Sequence, residues 1–431
     1  MTLLSETLGI PTVRLKFMLA HSDGGAWGDD PTTDDGVVVL RSTEQTVDGA
    51  WAIRDPALRV LSDGEREATR LIEDDLLVTK SSGSARHIGK TTIVDAAVAS
   101  LEPGFGNFMQ RLRASAGTHP RYLWYLLNHS LVRSQFDEFS TTSTGLSNLN
   151  RTVIGSVEIP ALPYAMQQQI TDYLDRETAQ IDILIEAQHQ LVAMLRKRRA
   201  AVVRIAVAGS RKSGEATGNP WWTHLPNGWQ VVPLRRVITS VADGPHFSPK
   251  YVEDGRMFIS ARNIKVDRWS LDDAKFVSAE DFAEFSKRVV PERGDVLYTK
   301  GGTTGVARAV DLDFPFQVWV HVAVLKVRHE IVDPYFLAYA LNSSPCYDQS
   351  QLFTRGATNN DLGLTRMVNI ELPLPPLKAQ REIVILLDEQ TAKIDTLIAE
   401  AERFIELSRE RRSALITAAV TGQIDVKGEV A

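Results

Sequence analysis

Two short stretches of the sequence carry residue types that could hold an anion. A run of apolar and β-branched residues ends in Thr79-Lys80 and passes into Ser81-Ser82-Gly83, and the same order returns as Thr299-Lys300 followed by Gly301-Gly302-Thr303. Small residues let backbone amides and a lysine come close to an extended anion, and hydroxyls can bond to phosphate oxygens or base edges. A single such stretch would read as a solvated surface hairpin; its recurrence, each time after Asp-x-Leu (Asp75, Leu77; Asp295, Leu297), favours a shared task. Polar runs farther along, residues 140–150 with Thr144 and Asn148 and residues 355–361 with Arg355, Asn359 and Asn360, offer the same chemistry or simple turns. Arg41, Arg86, Arg262, Asn263 and Arg308 join the candidates, because Arg and Asn are shaped to read guanine and adenine edges.

Other chemistry is argued against by spacing. The run GSARHIGKT from Gly83 is one residue too long for a phosphate-cradling Walker loop, and the strand-like TTIVDAAV follows where a helix N-terminus is needed. Gly104-Phe105-Gly106 and Asn219-Pro220-Trp221-Trp222 echo methyl-donor motifs only as a turn and a linker would. His87, His246, His321 and His329 have no partner at metal-ligand spacing, and no Gly-x-Ser-x-Gly elbow occurs. The sequence therefore offers no catalytic residue, no cofactor site and no metal site of its own.

The candidate loops are separated by a repeated element. Residues 158–209 and 371–422 agree at 20 of 52 positions at a constant offset of 213, without a gap. Matches include Pro160/Pro373, Gln167/Gln380, Asp175/Asp388, Asp182/Asp395, Arg199/Arg412 and Gly209/Gly422, so the chain is a two-fold internal repeat. Each copy reads as one long helix opened by prolines and closed by a glycine cap. Ile170, Leu174, Ile181, Leu184, Leu191 and Leu195 in the first copy, and Ile383, Leu387, Ile394, Leu397 and Phe404 in the second, recur at helical spacing. They form a heptad-like seam for packing along another helix or a partner. Roughly 43 residues at ~1.5 Å each make a rod of about 65 Å, long enough to act as a spacer.

Before each rod stands a variable part with little sequence identity but one order of elements. TVRLKFML answers VVPLRRVI, residues 75–80 and 295–300 read as strands, residues 317–327 read as a further strand, and HPRYLWYLLNH answers DPYFLAYALNS as a helix opened by proline. The domain plan is residues 1–155, a helix region 156–209, a Gly/Pro/Trp-rich linker 210–229, residues 230–369, a second helix region 370–422 and a tail 423–431. The fold class expected is α+β: two globular mixed α/β domains joined by two long helices, with a pseudo-two-fold internal repeat.

Composition sets limits. The charged fraction is 24% and the hydrophobic fraction 43%, as in soluble globular proteins, and no apolar run or basic leader suggests a membrane span or a secretory signal. With Cys346 the only cysteine, an intrachain disulfide is excluded and a cytoplasmic location expected. The net charge of −6 argues against gripping nucleic acid by bulk positive charge. Any DNA-binding face must gather its basic residues locally or share the phosphates with a partner.

The alternation of divergent and repeated regions, carried by EIPALP…QQ…LD…ID.LI, ELPLPPL..QREI…LD..TAKID.LI and GDVLYTKGGTTG, resembles the specificity subunit of type I restriction-modification systems over nearly the whole chain. The resemblance implies that residues 1–155 and 230–369 are target-recognition domains, each reading half of a bipartite site in double-stranded DNA. It implies that the two long helices pair antiparallel as a coiled coil, set the spacing and dock two DNA methyltransferase (modification) subunits. Restriction subunits, which are ATP-dependent translocase-nucleases, would join them, and methyl donor, ATP and magnesium would belong to those partners. The chain itself would be a non-catalytic subunit. The competing expectation is a coiled-coil protein-binding scaffold that never reads DNA.

Overall fold

A computed structural model describes residues 10–32, 36–82, 84, 87–140, 148–209, 214–247, 249–356 and 360–424. The chain divides into two compact units, Met1–Ala187 with Phe404–Ala431, and Gln188–Arg403. Among the described residues no helix is long and apolar enough to cross a membrane.

In the first unit the strand Leu76–Thr79 is buried along its whole length, because apolar residues fall on both of its faces. Leu76 and Val78 turn toward the helix Pro120–Asn128, with Tyr122, Leu123, Leu126 and Leu127, and toward Ile170 and Leu174 of a long helix. Leu77 faces Leu40, Leu71, Val94, Phe105 and Met109. The strand lies third in an antiparallel sheet ordered Leu19–Gly24, Met109–Ala114, Leu76–Thr79, Thr91–Ile93. A three-stranded sheet, Ala57–Arg59, Val37–Leu40, Gly104–Phe105, draws its strands from between those of the first and has a parallel second pairing.

The second unit repeats this plan. Its first sheet is ordered Ile238–Asp243, Val322–Val327, Val296–Thr299, Ala307–Ala309, and its second Tyr251–Val252, Lys275–Val277, Arg256–Ile259, Phe316–Val318. Residues 317–327, read from sequence as one strand, are two strands in different sheets, broken by a turn in which the Val322 amide donates to Trp319 O at 2.8 Å. No glycine or proline marks that turn, so periodicity alone runs straight through it. Residues 214–229 of the linker are also more structured than their composition suggested. Trp222 and Leu225 are buried in the second unit's core, and Trp222 Nε1 donates to Glu371 O at 2.8 Å.

The repeated regions begin as strands and only then become helices. Glu158–Pro160 pairs with Thr12–Arg14, and Glu371–Leu374 with Gln230–Pro233. The helices that follow are Tyr164–Ala208 and Leu377–Val420, each ending at a glycine, Gly209 or Gly422, with φ of +71°. That left-handed conformation is the one glycine adopts without steric cost.

Side chains brace each lobe, its edge strand and its long helix through one scheme written twice. Gln135 donates to Glu158 O at 2.9 Å and accepts from its amide at 2.8 Å; Gln349 does the same for Glu371 at 2.9 and 2.8 Å. Asn128 brackets the backbone of Thr91, as Asn342 brackets Ala307. Tyr125 donates to Asp175 at 2.6 Å and Tyr339 to Asp388 at 2.7 Å, burial and the carboxylate contact pushing each phenol up to about 12. Both phenols thus stay protonated donors at neutral pH.

Candidate nucleic-acid interface

The Thr-Lys pairs end the most buried strand of each unit. Thr79 and Thr299 are fully buried and serve the fold, Thr79 donating to Gln45 Oε1 at 2.6 Å and Thr299 Oγ1 accepting from Val306 N at 2.9 Å. The lysines that follow are fixed through their backbones in the same way. Lys80 N donates to Phe108 O and its carbonyl accepts from Leu149 N; Lys300 N donates to His321 O and its carbonyl accepts from Leu362 N. Bridges Ser81–Asn148 and Gly301–Asp361 follow directly. Two stretches that the sequence offered separately, the strand-end loop and the polar run before the long helix, therefore meet at one place in each unit.

The lysine side chains differ. Lys80 is half-buried, and burial lowers its ammonium pKa. Lys300 is only 7% exposed at its side chain, and Nζ lies 3.3 Å from Asp243 Oδ2, 3.0 Å from Asp361 Oδ1 and 3.3 Å from Val320 O. It is not the surface cation that the sequence suggested. Beyond it, Gly301 is buried, and a Cβ there would stand 1.9 Å from His321 Nδ1; Gly302, with φ of +70°, and Thr303 are exposed at the tip.

Around the second unit's loop lies a cavity of about 500 Å³ that brings Arg262, Asn263, Gly301, Gly302 and Thr303 together with Tyr251, Trp319 and His321. The last three were missed; for Trp319 and His321 the signal available was aromatic residues alternating with valines in QVWVHV, at the point where the strand breaks, and Tyr251 carried none. Trp319 and His321 pack edge-on with centroids 4.9 Å apart. Arg262 is 58% exposed beside Asp273.

Several candidates serve the fold instead. Asn263 is buried, its Oδ1 accepting from Ser260 N at 2.8 Å and its Nδ2 donating to Ser270 O at 2.8 Å, so its amide is spent on capping the turn Ala261–Asn263. Arg41 caps the matching turn of the first unit through Glu44 at 2.6 Å, which raises its pKa, and donates to Asp55 O at 2.9 Å. Arg308 stacks over Trp269 with its guanidinium 5.1 Å from the ring, and burial lowers its pKa. Ser81 and Ser82 are half-buried, and Asn148, Arg355 and Asn360 are exposed. Arg86, Thr144 and Asn359 lie outside the described residues. Among the described residues no group of His, Cys, Asp and Glu is arranged to hold a metal ion.

Along the helices, buried positions include Ile170, Leu174 and Ile181 in the first unit, and Val192, Leu195, Leu387, Ile394 and Ala401 in the second. Ile383 is partly buried. Within the second unit Arg196 meets Glu402 at 2.8 Å and Arg199 meets Asp395 at 2.8 Å, so the helix segments run antiparallel. Leu184, Leu191, Leu397 and Phe404, expected in the seam, are instead 49, 37, 49 and 41% exposed. The true seam follows 181, 185, 188, 192, 195 and 199, which places 184 and 191 at its flank.

A duplicated α/β framework whose equivalent loops carry different side chains defines a double binding module. Residues 226–404 match the family described as the type I restriction modification DNA specificity domain. The chain is 22% identical over 363 residues to the MjaVIII specificity subunit of Methanocaldococcus jannaschii, covering 82% of this chain and 80% of that one. It is 20% identical over 373 residues to the EcoKI specificity subunit of Escherichia coli (strain K12), covering 83% and 76%. Its fold is similar to a chain solved in work on the assembly and conformational transition of the type I R-M system, with a TM-score of 0.66, 18% identity, and coverage of 96% and 99%. The chain is thus similar to type I restriction enzyme specificity subunits over most of its length, and residues 226–404 match their DNA specificity domain.

Proposed function

We propose that this protein reads DNA for a type I restriction-modification complex, residues 1–155 recognising one half of a bipartite site and residues 230–369 the other. It is a targeting subunit, and the reactions belong to methyltransferase and restriction subunits bound to it. The observation that carries the reading is the repetition of the Gln135/Gln349, Asn128/Asn342 and Tyr125/Tyr339 bonds around loops whose contents differ. A framework kept in two copies while the exposed loops diverge is what two readers of unlike sequences require. The long helices would set the distance between half-sites, and the exposed Leu184, Leu191, Leu397 and Phe404 would meet the methyltransferase subunits.

The test is methylation mapping in cells that express this chain with its partner subunits. Lengthening both helices in step by one heptad should change the spacer of the methylated site and leave both half-sites as they were. Altered half-sites with a fixed spacer would sink the assignment.

A further inference from the structure

We infer that the two lobes hold DNA by different electrostatic means: Lys80 is a phosphate-binding cation, whereas Lys300 is withdrawn into an internal ion cluster that positions Asp361 and Arg355. This rests on the reading of the chain as a DNA specificity subunit and concerns how that subunit grips the duplex.

The two lysines occupy one framework position. Besides the matching backbone bonds at Phe108 and His321 and at Leu149 and Leu362, the neighbouring strand ends in register, Gly24 standing opposite Gln110 as Asp243 stands opposite Ala323. The bridge after the lysine likewise places Asn148 where the second unit has Asp361. Both carboxylates that flank Lys300 are thus replaced in the first unit, one by glycine and the other by a neutral amide.

An ammonium has three N–H donors. Lys300 Nζ donates one to Val320 O and is flanked by two carboxylates, Asp243 Oδ2 and Asp361 Oδ1, so its charge is already compensated inside the fold and is not offered to a ligand. Asp361 in turn exchanges both backbone hydrogen bonds with Arg355, at 3.0 and 2.9 Å, so the lysine holds this backbone pairing in place. Arg288 and Arg366 share Asp243 and Asp361 and complete the cluster. Lys80 has no such acceptor among the described residues. Its Nζ lies over Gly24, 3.5 Å from where a Cβ would be. A partly desolvated charge without a counter-ion is unfavourable in the free protein and gains when an anion arrives. A phosphate of the DNA backbone supplies that anion, and the absence of a side chain on Gly24 leaves room for it.

The experiment uses the full-length chain assembled with its methyltransferase subunits. It measures binding to a duplex carrying the methylated site and to an unrelated duplex across a range of KCl concentrations. Lys80→Met should reduce the slope of log K against log[salt] by about 0.9, the contribution of one phosphate, and weaken both duplexes alike. Gly24→Asp, which the contact distance accommodates, and the isosteric Asn148→Asp should act in the same direction by supplying Lys80 with an internal partner. Lys300→Met should leave the slope unchanged but lower discrimination at the second half-site, an effect shared with Asp361→Asn and not additive with it. Thermal unfolding of each variant identifies any that fail to fold, and Asn148→Asp keeps the first-lobe arm decisive if Gly24→Asp is among them. Equal slopes for wild type and Lys80→Met, with wild type preferring its site, overturn the inference alone, as does a slope reduced by Lys300→Met. A wild-type complex with no preference for the methylated site overturns the parent reading as well.

Discussion

Arg199 donates to Asp395 from Nε at 2.8 Å and from Nη2 at 3.1 Å, a forked pair between the two long helices. The residues 213 positions away make the reciprocal contact, Arg412 lying 3.1 Å from Asp182. Two copies of one helix running antiparallel must produce such reciprocity, since whatever i does to j the copy of i does to the copy of j. Arg199 is 15% exposed, so its loss of a partner is felt. Asp395→Ala should destabilise the protein by about 1–3 kcal/mol. A double-mutant cycle with Arg199→Ala, followed by chemical unfolding, should return a coupling of at least ~0.5 kcal/mol; a cycle that closes at zero would make the pair ornamental.

His129 gives the first unit a pH dependence. Its Nδ1 accepts from Leu131 N at 3.1 Å, which makes Nε2 the protonated nitrogen that donates to Thr417 Oγ1 at 2.7 Å. A second proton would have to sit on Nδ1, against an N–H donor, and burial independently lowers the pKa of this ring. With the folded value below the unfolded value of about 6.5, the unfolded chain binds the proton more readily. Stability should therefore be full above that pH and fall as pH drops through it toward the lower folded value. His129→Gln should flatten this part of the curve in unfolding measurements from about pH 7.5 to 5; an unchanged curve would show that another group sets it.

Gly301→Ala tests the second unit's loop. A Cβ there would meet His321 Nδ1 at 1.9 Å, so His321 or the loop must move. Sequence discrimination at the second half-site should fall at least about fivefold, the cost of a lost base contact being ~1–3 kcal/mol. Gly302→Ala meets open space, but its φ of +70° makes the substitution a strain on the turn rather than a clash. Methylation profiles of the two variants would separate these effects.

Cys346 is fully buried, and burial pushes its thiol up to about 12. The thiolate is the reactive form, so the native protein should resist a thiol-specific reagent at neutral pH and react only as it unfolds. Rapid stoichiometric labelling under native conditions would show that the core around this residue opens.

How much of this was legible beforehand depended on the range of the interaction. The long helices, their glycine caps and their duplication came from local periodicity and a fixed offset, signals present in one dimension. The strand-end lysines were legible for the same reason, as a recurring dipeptide before small residues. Their different fates were not. Asp243 and Asp361 are distant from Lys300 in the chain, and only the pairing of Ile238–Asp243 with Val322–Val327 and the Gly301–Asp361 bridge bring them to its ammonium.

The same physical division holds for the rest of the candidates. The amino-acid sequence by itself determined that the chain is a repeat with unlike loops on a common frame, because residue type and spacing fix backbone conformation locally. Tertiary structure decided which polar groups are already spent. Asn263 is consumed by a turn and Arg308 by Trp269, and Leu184 and Leu397 lie at the flank of a seam that a one-step shift in helical phase moved away from them. Hydrogen-bond capacity and burial are properties of the surroundings that distant segments build, and no spacing within one segment encodes them.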